Sequence, residues 1–466
     1  MSLFRKKNID HMIASTQDIG LKKTLNAIDL TFLGIGAIIG TGIFVLTGTG
    51  AVQAGPGLTL SFIIAAIACG LAALSYAEFA SAIPVAGSIY TYSYATLGEL
   101  VAWIIGWDLM LEYGLAASAV SVGWSGYLQS LLHGFGISLP TVLTASHGAI
   151  PGVVSWFNLP AFSVMIAITT LLSIGISEST RINNIMVFIK VTIILIVIAV
   201  GLFHVNPANW HPFMPHGFHG VFSAAAVMFF AFIGFDAVSS AAEEVKNPKR
   251  DLPIGIIASL AICAMLYIAV AIVATGIVPA DEYTKNLSHP ISYAMQIAGE
   301  NWVASLIDLG AVLGMLTVIL VMSYGQTRIV FAMSRDGLLP DILSQLHPKY
   351  STPFLTTWIV GLFFGMVGAL VPLDLLAELI NIGTLAAFSM VSIAVLVLRH
   401  THPTLLRPFR CPLVPIIPML AVFSCLFLMF NLQAITWITF VTWLSIGIVV
   451  YFTFSRRNSK LAKYNN

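Results

Sequence analysis

An ionisable side chain in the middle of an apolar run is costly to keep and marks a functional position by default. The run NNIMVFIKVTIILIVIAV, residues 183–200, carries one, Lys190. It stands nine residues beyond Arg181, about 13 Å at 1.5 Å per residue of helix, too deep for its ammonium to snorkel easily to an interface. A desolvated lysine can give up its proton, which would make Lys190 a proton-coupling group. The alternative is a permanently charged ammonium that serves structure by donating to the carbonyls of an unwound helix. A second candidate is Glu112 in WDLMLEYGLAASAV, four residues after Asp108, so that both carboxylates share one helix face. Facing a cavity, Glu112 could attract a cationic solute or take part in proton movement; Asp108 is given no role.

Such residues need elements that interrupt the membrane interior and hold a solute there. GIGAIIGTGIF, residues 34–44, places glycines at 34, 36, 40 and 42 inside an otherwise apolar segment. Each disfavours a helix interior by about 1 kcal/mol relative to alanine. A helix that opens there exposes backbone N–H and C=O groups, which is tolerable only where they line a cavity or meet a ligand. Gly36 and Gly40 also make a GxxxG helix-packing pair, a competing reading. A dinucleotide fingerprint is excluded, because the spacing is off by one and no strand–turn–helix unit follows. A second interruption is expected at FFAFIGFD, residues 229–236, where Gly234 stands near Asp236. Interrupted segments in corresponding positions of two halves point to the binding site of an inverted-repeat transporter.

Stepping out to the whole chain, 58% of its 466 residues are hydrophobic and 9% charged, with mean hydropathy +0.93. Soluble domains carry about 25% charged residues, so this is a polytopic, all-α membrane protein. The net charge of +1 argues against a nucleic-acid partner. Four scattered cysteines and the loosely spaced His204, His211, His216 and His219 imply neither a disulfide framework nor a metal site. No enzymatic constellation or cofactor motif is present in the sequence.

Twelve apolar segments are expected to span, near 27–50, 56–82, 98–131, 158–177, 182–203, 218–240, 253–277, 302–332, 354–371, 375–398, 412–431 and 435–454. The interrupted ones are the first and sixth, five apart. Of 21 lysines and arginines, 19 fall on one side of that arrangement; Lys285 falls on the other and Lys190 within a span. The positive-inside rule places both termini in the cytoplasm.

GIGAIIGTGIF, SYAEFASAIPVAGSIYTYSYATLGE, FFAFIGFDAVSSAAEEVKNPKRDLPIGI and YGQTRIVFAMSRDGLLP, in this order, resemble the amino acid–polyamine–organocation superfamily. Within it, the chain is similar to bacterial members of the cationic amino acid transporter branch. The resemblance implies a LeuT-like fold. Residues 1–26 form a cytoplasmic segment, 27–203 and 218–398 two inverted repeats of five helices, 412–454 two further helices, and 455–466 a cytoplasmic tail. It also implies a substrate site between spans 1, 3, 6 and 8. The substrate carboxylate would meet backbone N–H groups around Gly40, Thr41 and Gly42. Its amino group would meet carbonyls near Ile38, Phe230, Ala231 and Ile233, with Phe230 closing over it. Lys190 matches a span-5 lysine that replaces sodium in proton-coupled relatives, where an ammonium would hold broken span 1 against span 8. Span 8 is expected to face the pocket with Leu316, Ile319, Met322 and Ser323, and the bulk of Met322 would restrict long side chains.

The expected function is therefore proton-coupled symport of small neutral or cationic L-amino acids across the cell membrane by alternating access, with no cofactor. An exchanger without net proton flow is the alternative, and an amino acid sensor on the same fold has Lys190 against it. A small accessory membrane subunit is compatible with either transporter.

Overall fold

The computed structural model describes residues 5–7, 23–85, 88–149, 154–175 and 180–461. Most of the N-terminal segment, the end of the tail from 462, the last residues of the fourth apolar segment and the Arg181 side chain lie outside them. Among the described residues, regular structure is helical apart from one isolated backbone bridge. That follows from composition, because in hydrocarbon a helix satisfies every backbone group within its own segment. Eight helical stretches are long and apolar enough to cross a membrane, and four shorter apolar helices accompany them.

Each of the twelve apolar segments contains helix. The first is split into α1 (Ala27–Ile38) and, after a break and a π-turn at Gly42–Leu46, α2 (Thr47–Ala54). Gly55, at φ +62° and hard against Pro215, separates α2 from α3 (Leu58–Ala82). There follow α4 (Ser88–Thr96), α5 (Glu99–Gly134), α6 (Leu159–Ser173) and α7 (Thr180–Gly201). The sixth segment is also split, into α8 (Gly217–Met228) and the single turn α9 (Ala237–Ser240). Then come α10 (Pro248–Ile277), α11 (Pro290–Ile297), α12 (Asn301–Arg335), α13 (Phe354–Leu370), α14 (Leu373–Thr401), α15 (Ile416–Phe430) and α16 (Ala434–Val450). The eleventh segment becomes helical only at Ile416 because Pro412 and Pro415 precede it.

Two helices form the frame. α5, of 36 residues, and α12, of 35, are each about 50 Å long at 1.5 Å per residue and pack along one another. Glycines let them approach: a Cβ at Gly114 would strike Gln326 and Phe364, and one at Gly325 would press on Tyr113. Against this frame lie the broken segments, with α1 packed on α10 and α7, and α8 on α3.

The lysine- and arginine-rich end is tied together by both ends of the chain. Lys7 Nζ lies 2.7 Å from Asp336, just past α12, and the Tyr90 hydroxyl donates to the same carboxylate at 2.6 Å. The Lys460 amide donates to the Asp336 carbonyl at 3.0 Å. Glu99 accepts from the hydroxyls of Tyr94, Tyr451 and Ser459, and its amide donates to the Arg5 carbonyl. The charged loop before α10 joins the same end through its backbone, by a parallel bridge between Leu25 and Val245 that fixes the entry to α1.

Glu78, near the end of α3, is shut away from water. It is buried, accepts Arg399 Nε and Nη2 at 3.0 and 2.6 Å, takes the Cys411 amide at 2.8 Å, and has Arg407 at 3.4 Å. Asp308, on α12, is also buried and accepts the Ser130 hydroxyl at 2.7 Å.

Candidate functional site

The break in the first segment begins with a well-started helix. Asn26 and Asp29 form a reciprocal capping box over the first turn of α1. Its other end stops at Ile38, because Ile39 turns extended (ψ 100°) and the ladder does not continue. The last carbonyls of a helix need donors from elsewhere. They come from two other helices. Lys190 Nζ, on α7, donates to the carbonyls of Gly36 at 3.0 Å and Ile39 at 3.2 Å. The hydroxyl of Tyr267, on α10, donates to the Ile38 carbonyl at 3.0 Å. Lys190 also donates to Thr317 Oγ1 on α12 at 2.9 Å, and that hydroxyl passes its own proton to the Gly314 carbonyl at 2.8 Å. A side chain at Gly314 would collide with the lysine stem, 2.8 Å from Cε, so the glycine makes room for it. Lys190 is 1% exposed.

The second break runs from the 3-10 turn Phe229–Phe232 through extended Ile233 to Gly234 at φ +122°, a conformation that L side chains avoid. The two breaks interlock. A Cβ at Gly42 would sit 2.4 Å from Ala231 Cα, and one at Gly234 would sit 2.9 Å from the Ala37 carbonyl carbon. Gly40 rests on Val318 of α12, and the Thr41 hydroxyl points to Met315 sulfur at 3.7 Å. Neighbouring helices hold the flanks: Asn381 donates to the carbonyls of Ala226 and Val227, Tyr127 to that of Phe44, and Tyr113 to the Asp236 carboxylate.

Ile38, Gly40, Thr41, Gly42, Phe230, Ala231, Ile233 and Met322 are all buried, and those from the two breaks are brought together. Glu112 belongs to a different neighbourhood. It lies on α5 within electrostatic reach of Asp108 and Asp236, beside Thr384, while Asp108 abuts Gly383 of α14. Glu112 Oε2 and Asp108 Oδ1 are buried without a hydrogen-bond partner. The face of α12 that touches the first break carries Met315, Thr317 and Val318, a rotation of about one residue from the stripe through Leu316 and Ile319. Met322, seven residues from Met315 and four from Val318, shares this face.

Tyr267, Thr317 and Asn381 were not singled out in the sequence. Each is a polar side chain inside an apolar helix, and a buried hydroxyl or amide finds a partner, so the signal lay in their type rather than in any spacing.

A family model described as amino acid permease matches residues 25–454. The chain is 62% identical over 461 residues to the branched-chain amino acid permease BcaP of Bacillus subtilis (strain 168), covering 99% of both chains. It is 52% identical over 464 residues to the methylthioribose transporter of the same organism, covering 99% of this chain and all of that one. Cationic amino acid transporter 2, vacuolar, of Arabidopsis thaliana is 42% identical over 409 residues, 86% of this chain and 64% of its own length. Helices throughout, two interlocked breaks at their centre and a match over nearly the whole chain agree: this chain is a multi-pass membrane protein that belongs to the amino acid permease family of the amino acid–polyamine–organocation superfamily.

Proposed function

We propose that this permease is a proton-coupled symporter of apolar L-amino acids, branched-chain ones included, in the cell membrane, with both termini cytoplasmic. The two breaks would be the unwound first and sixth helices of a LeuT-like five-plus-five repeat. The observation that carries the reading is the Lys190 ammonium inserted at the end of α1, bonded to the carbonyls of Gly36 and Ile39 and to Thr317. One cation there holds α1, α7 and α12 in register. Loss of its proton removes the charge and one donor, so α1 is released. Protonation state and the position of the half-helix that binds substrate are thereby linked.

The substrate carboxylate would sit at the N–H groups of Gly40, Thr41 and Gly42, where the second half-helix begins and its dipole favours an anion. The amino group would take carbonyls of Ile38, Phe230, Ala231 and Ile233; the Ile38 oxygen keeps one lone pair beside the Tyr267 hydroxyl. Phe230 would cover the substrate. Met315, Val318 and Met322 present thioether and branched surface rather than charge, which suits an aliphatic side chain, and the name of the 62% identical relative points the same way. Glu112, with Asp108 and Asp236, would tune the electrostatics at the basic side of the site.

A second reading, exchange without net proton flow, is favoured by one feature: three good acceptors around Lys190 suit an ammonium that never titrates. Uptake of labelled leucine, alanine and arginine into proteoliposomes, with and without an inward proton gradient, separates the two. Symport predicts gradient-driven accumulation of leucine above arginine. Uptake that ignores the gradient and needs internal amino acid would mean exchange.

A further inference from the structure

Lys190 is 1% exposed, so a proton leaving its ammonium needs a route to water. On the same face of α7, toward the basic end, come Val187 and Asn183, three and seven residues away. Both press on Gly36, whose carbonyl the lysine holds: a Cβ at Gly36 would lie 2.9 Å from Asn183 Oδ1 and 2.9 Å from Val187 Cγ2. Asn183 is 5% exposed, and its Nδ2 donates to no partner. An orphaned buried amide is costly, and a purely structural residue avoids that cost by being apolar. Beside Asn183, the seam between α1 and α7 opens into a groove lined by Thr24, Asp29, Phe32, Asn184, Ile185 and Phe188. There Asn184 Nδ2 donates to Asp29 Oδ1 at 3.1 Å.

Lys190, Val187, Asn183 and the Asp29 groove thus lie in order along one seam, polar at both ends and closed at Val187, which is fully buried. We infer that this seam is the proton exit, that Asn183 is the positioning residue that orders water within it, and that Val187 is its constriction. The inference rests on Lys190 carrying the coupled proton. When α1 parts from α7, water enters from the groove as far as the Asn183 amide. The ammonium gives one proton to that water and becomes a neutral amine; the resulting hydronium passes to the Asp29 carboxylate and on to solution. The amine regains its proton from the opposite side in the next cycle. Facing Lys190 from the other packed elements are the Gly36 and Ile39 carbonyls of the first break, Thr317 of α12 and, within electrostatic reach, the Cys263 thiol of α10.

The test uses the full-length protein in proteoliposomes. In Asn183→Leu, gradient-driven leucine accumulation is expected to fall by about tenfold or more, as loss of a proton-transfer group does, while leucine counterflow at equal pH on both sides changes less than about twofold. Asn183→Ser, which keeps a water-ordering hydroxyl, restores accumulation. Val187→Ala widens the constriction and raises a substrate-independent proton leak, read with a pH dye inside the vesicles; misfolding does not mimic that gain. Wild-type accumulation in Asn183→Leu, or an equal fall in both assays, overturns the relay while leaving Lys190 coupling intact. Wild-type protein that ignores the gradient overturns both.

Discussion

The interlock of the two breaks makes Gly42 the most demanding position in the chain. Replacing it by alanine puts a methyl group 2.4 Å from Ala231 Cα and 2.6 Å from Ala231 Cβ. Carbon atoms pack at about 3.5–4.0 Å, so the breaks must part by roughly 1 Å. Neither side is a flexible side-chain end; both are backbone at the point where helices stop. Overpacking of this kind costs about 1–3 kcal/mol. It falls only on conformations in which the breaks touch, so it acts as a conformational bias of roughly 5- to 150-fold against the closed arrangement. The expected outcome is a protein that inserts and binds but cycles slowly, with leucine counterflow reduced at least fivefold, on the lower edge of that range. Thr41 is fully buried beside the contact, so a Thr41→Cys reporter should be protected from a polar thiol reagent in the parent and exposed when combined with Gly42→Ala. Unchanged counterflow together with unchanged protection would refute the interlock as a feature of the working cycle.

Four further outcomes are expected. Lys190→Ala abolishes gradient-driven uptake; retained pH-dependent uptake would remove its coupling role. Met322→Ser, by opening the face shared with Met315 and Val318, admits longer side chains in a competition assay, whereas an unchanged profile counts against Met322 lining the pocket. Glu78→Gln leaves the arginine pair Arg399 and Arg407 facing a neutral amide in a buried site, and breaking such a pair costs about 3–5 kcal/mol, read as a clear drop in melting temperature in detergent. His289, in the segment before α11, is held down to about 4 by burial, with His133 adding to it. Its neutral form is favoured in the folded state, so the associated stability is full above the ordinary histidine value near 6.5 and is lost as pH falls through about 4, at no more than about 1.4 kcal/mol per pH unit. His289→Asn should flatten the melting temperature between pH 7 and pH 5.

Element type and position were legible because a membrane interior leaves a chain few options: an apolar run becomes a helix, and a glycine cluster within one becomes a break. Lys190 stood out for the same reason, as a charge where charge is expensive. That it would meet the first break and α12 was legible, but which atoms it meets was not, since Thr317 comes from a helix more than a hundred residues away and only packing decides the partner. Packing likewise decides which face of α12 meets the first break: Gly314 admits the lysine stem, Met315, Thr317 and Val318 follow it, and Met322 shares their face. The burial of Glu78 was not legible, because a carboxylate near a helix end has no visible partner until Arg399 of α14 and Arg407 beyond it are seen to cover it.

The Asp336 carboxylate accepts a hydrogen bond from the Lys7 side chain, made 329 residues before it, and its carbonyl takes the amide of Lys460, made after all the long apolar helices. The order of synthesis therefore imposes an order of assembly. Lys7, made early, must wait for its partner while the long helices are made one after another. The late strand can dock only once residue 460 has left the ribosome. Until then the end of α12 and the buried carboxylate of Glu99 lack their final partners, so maturation of this face is a post-insertion event. A released chain that ends before Ser459 would carry all its long helices and still leave this face unfastened.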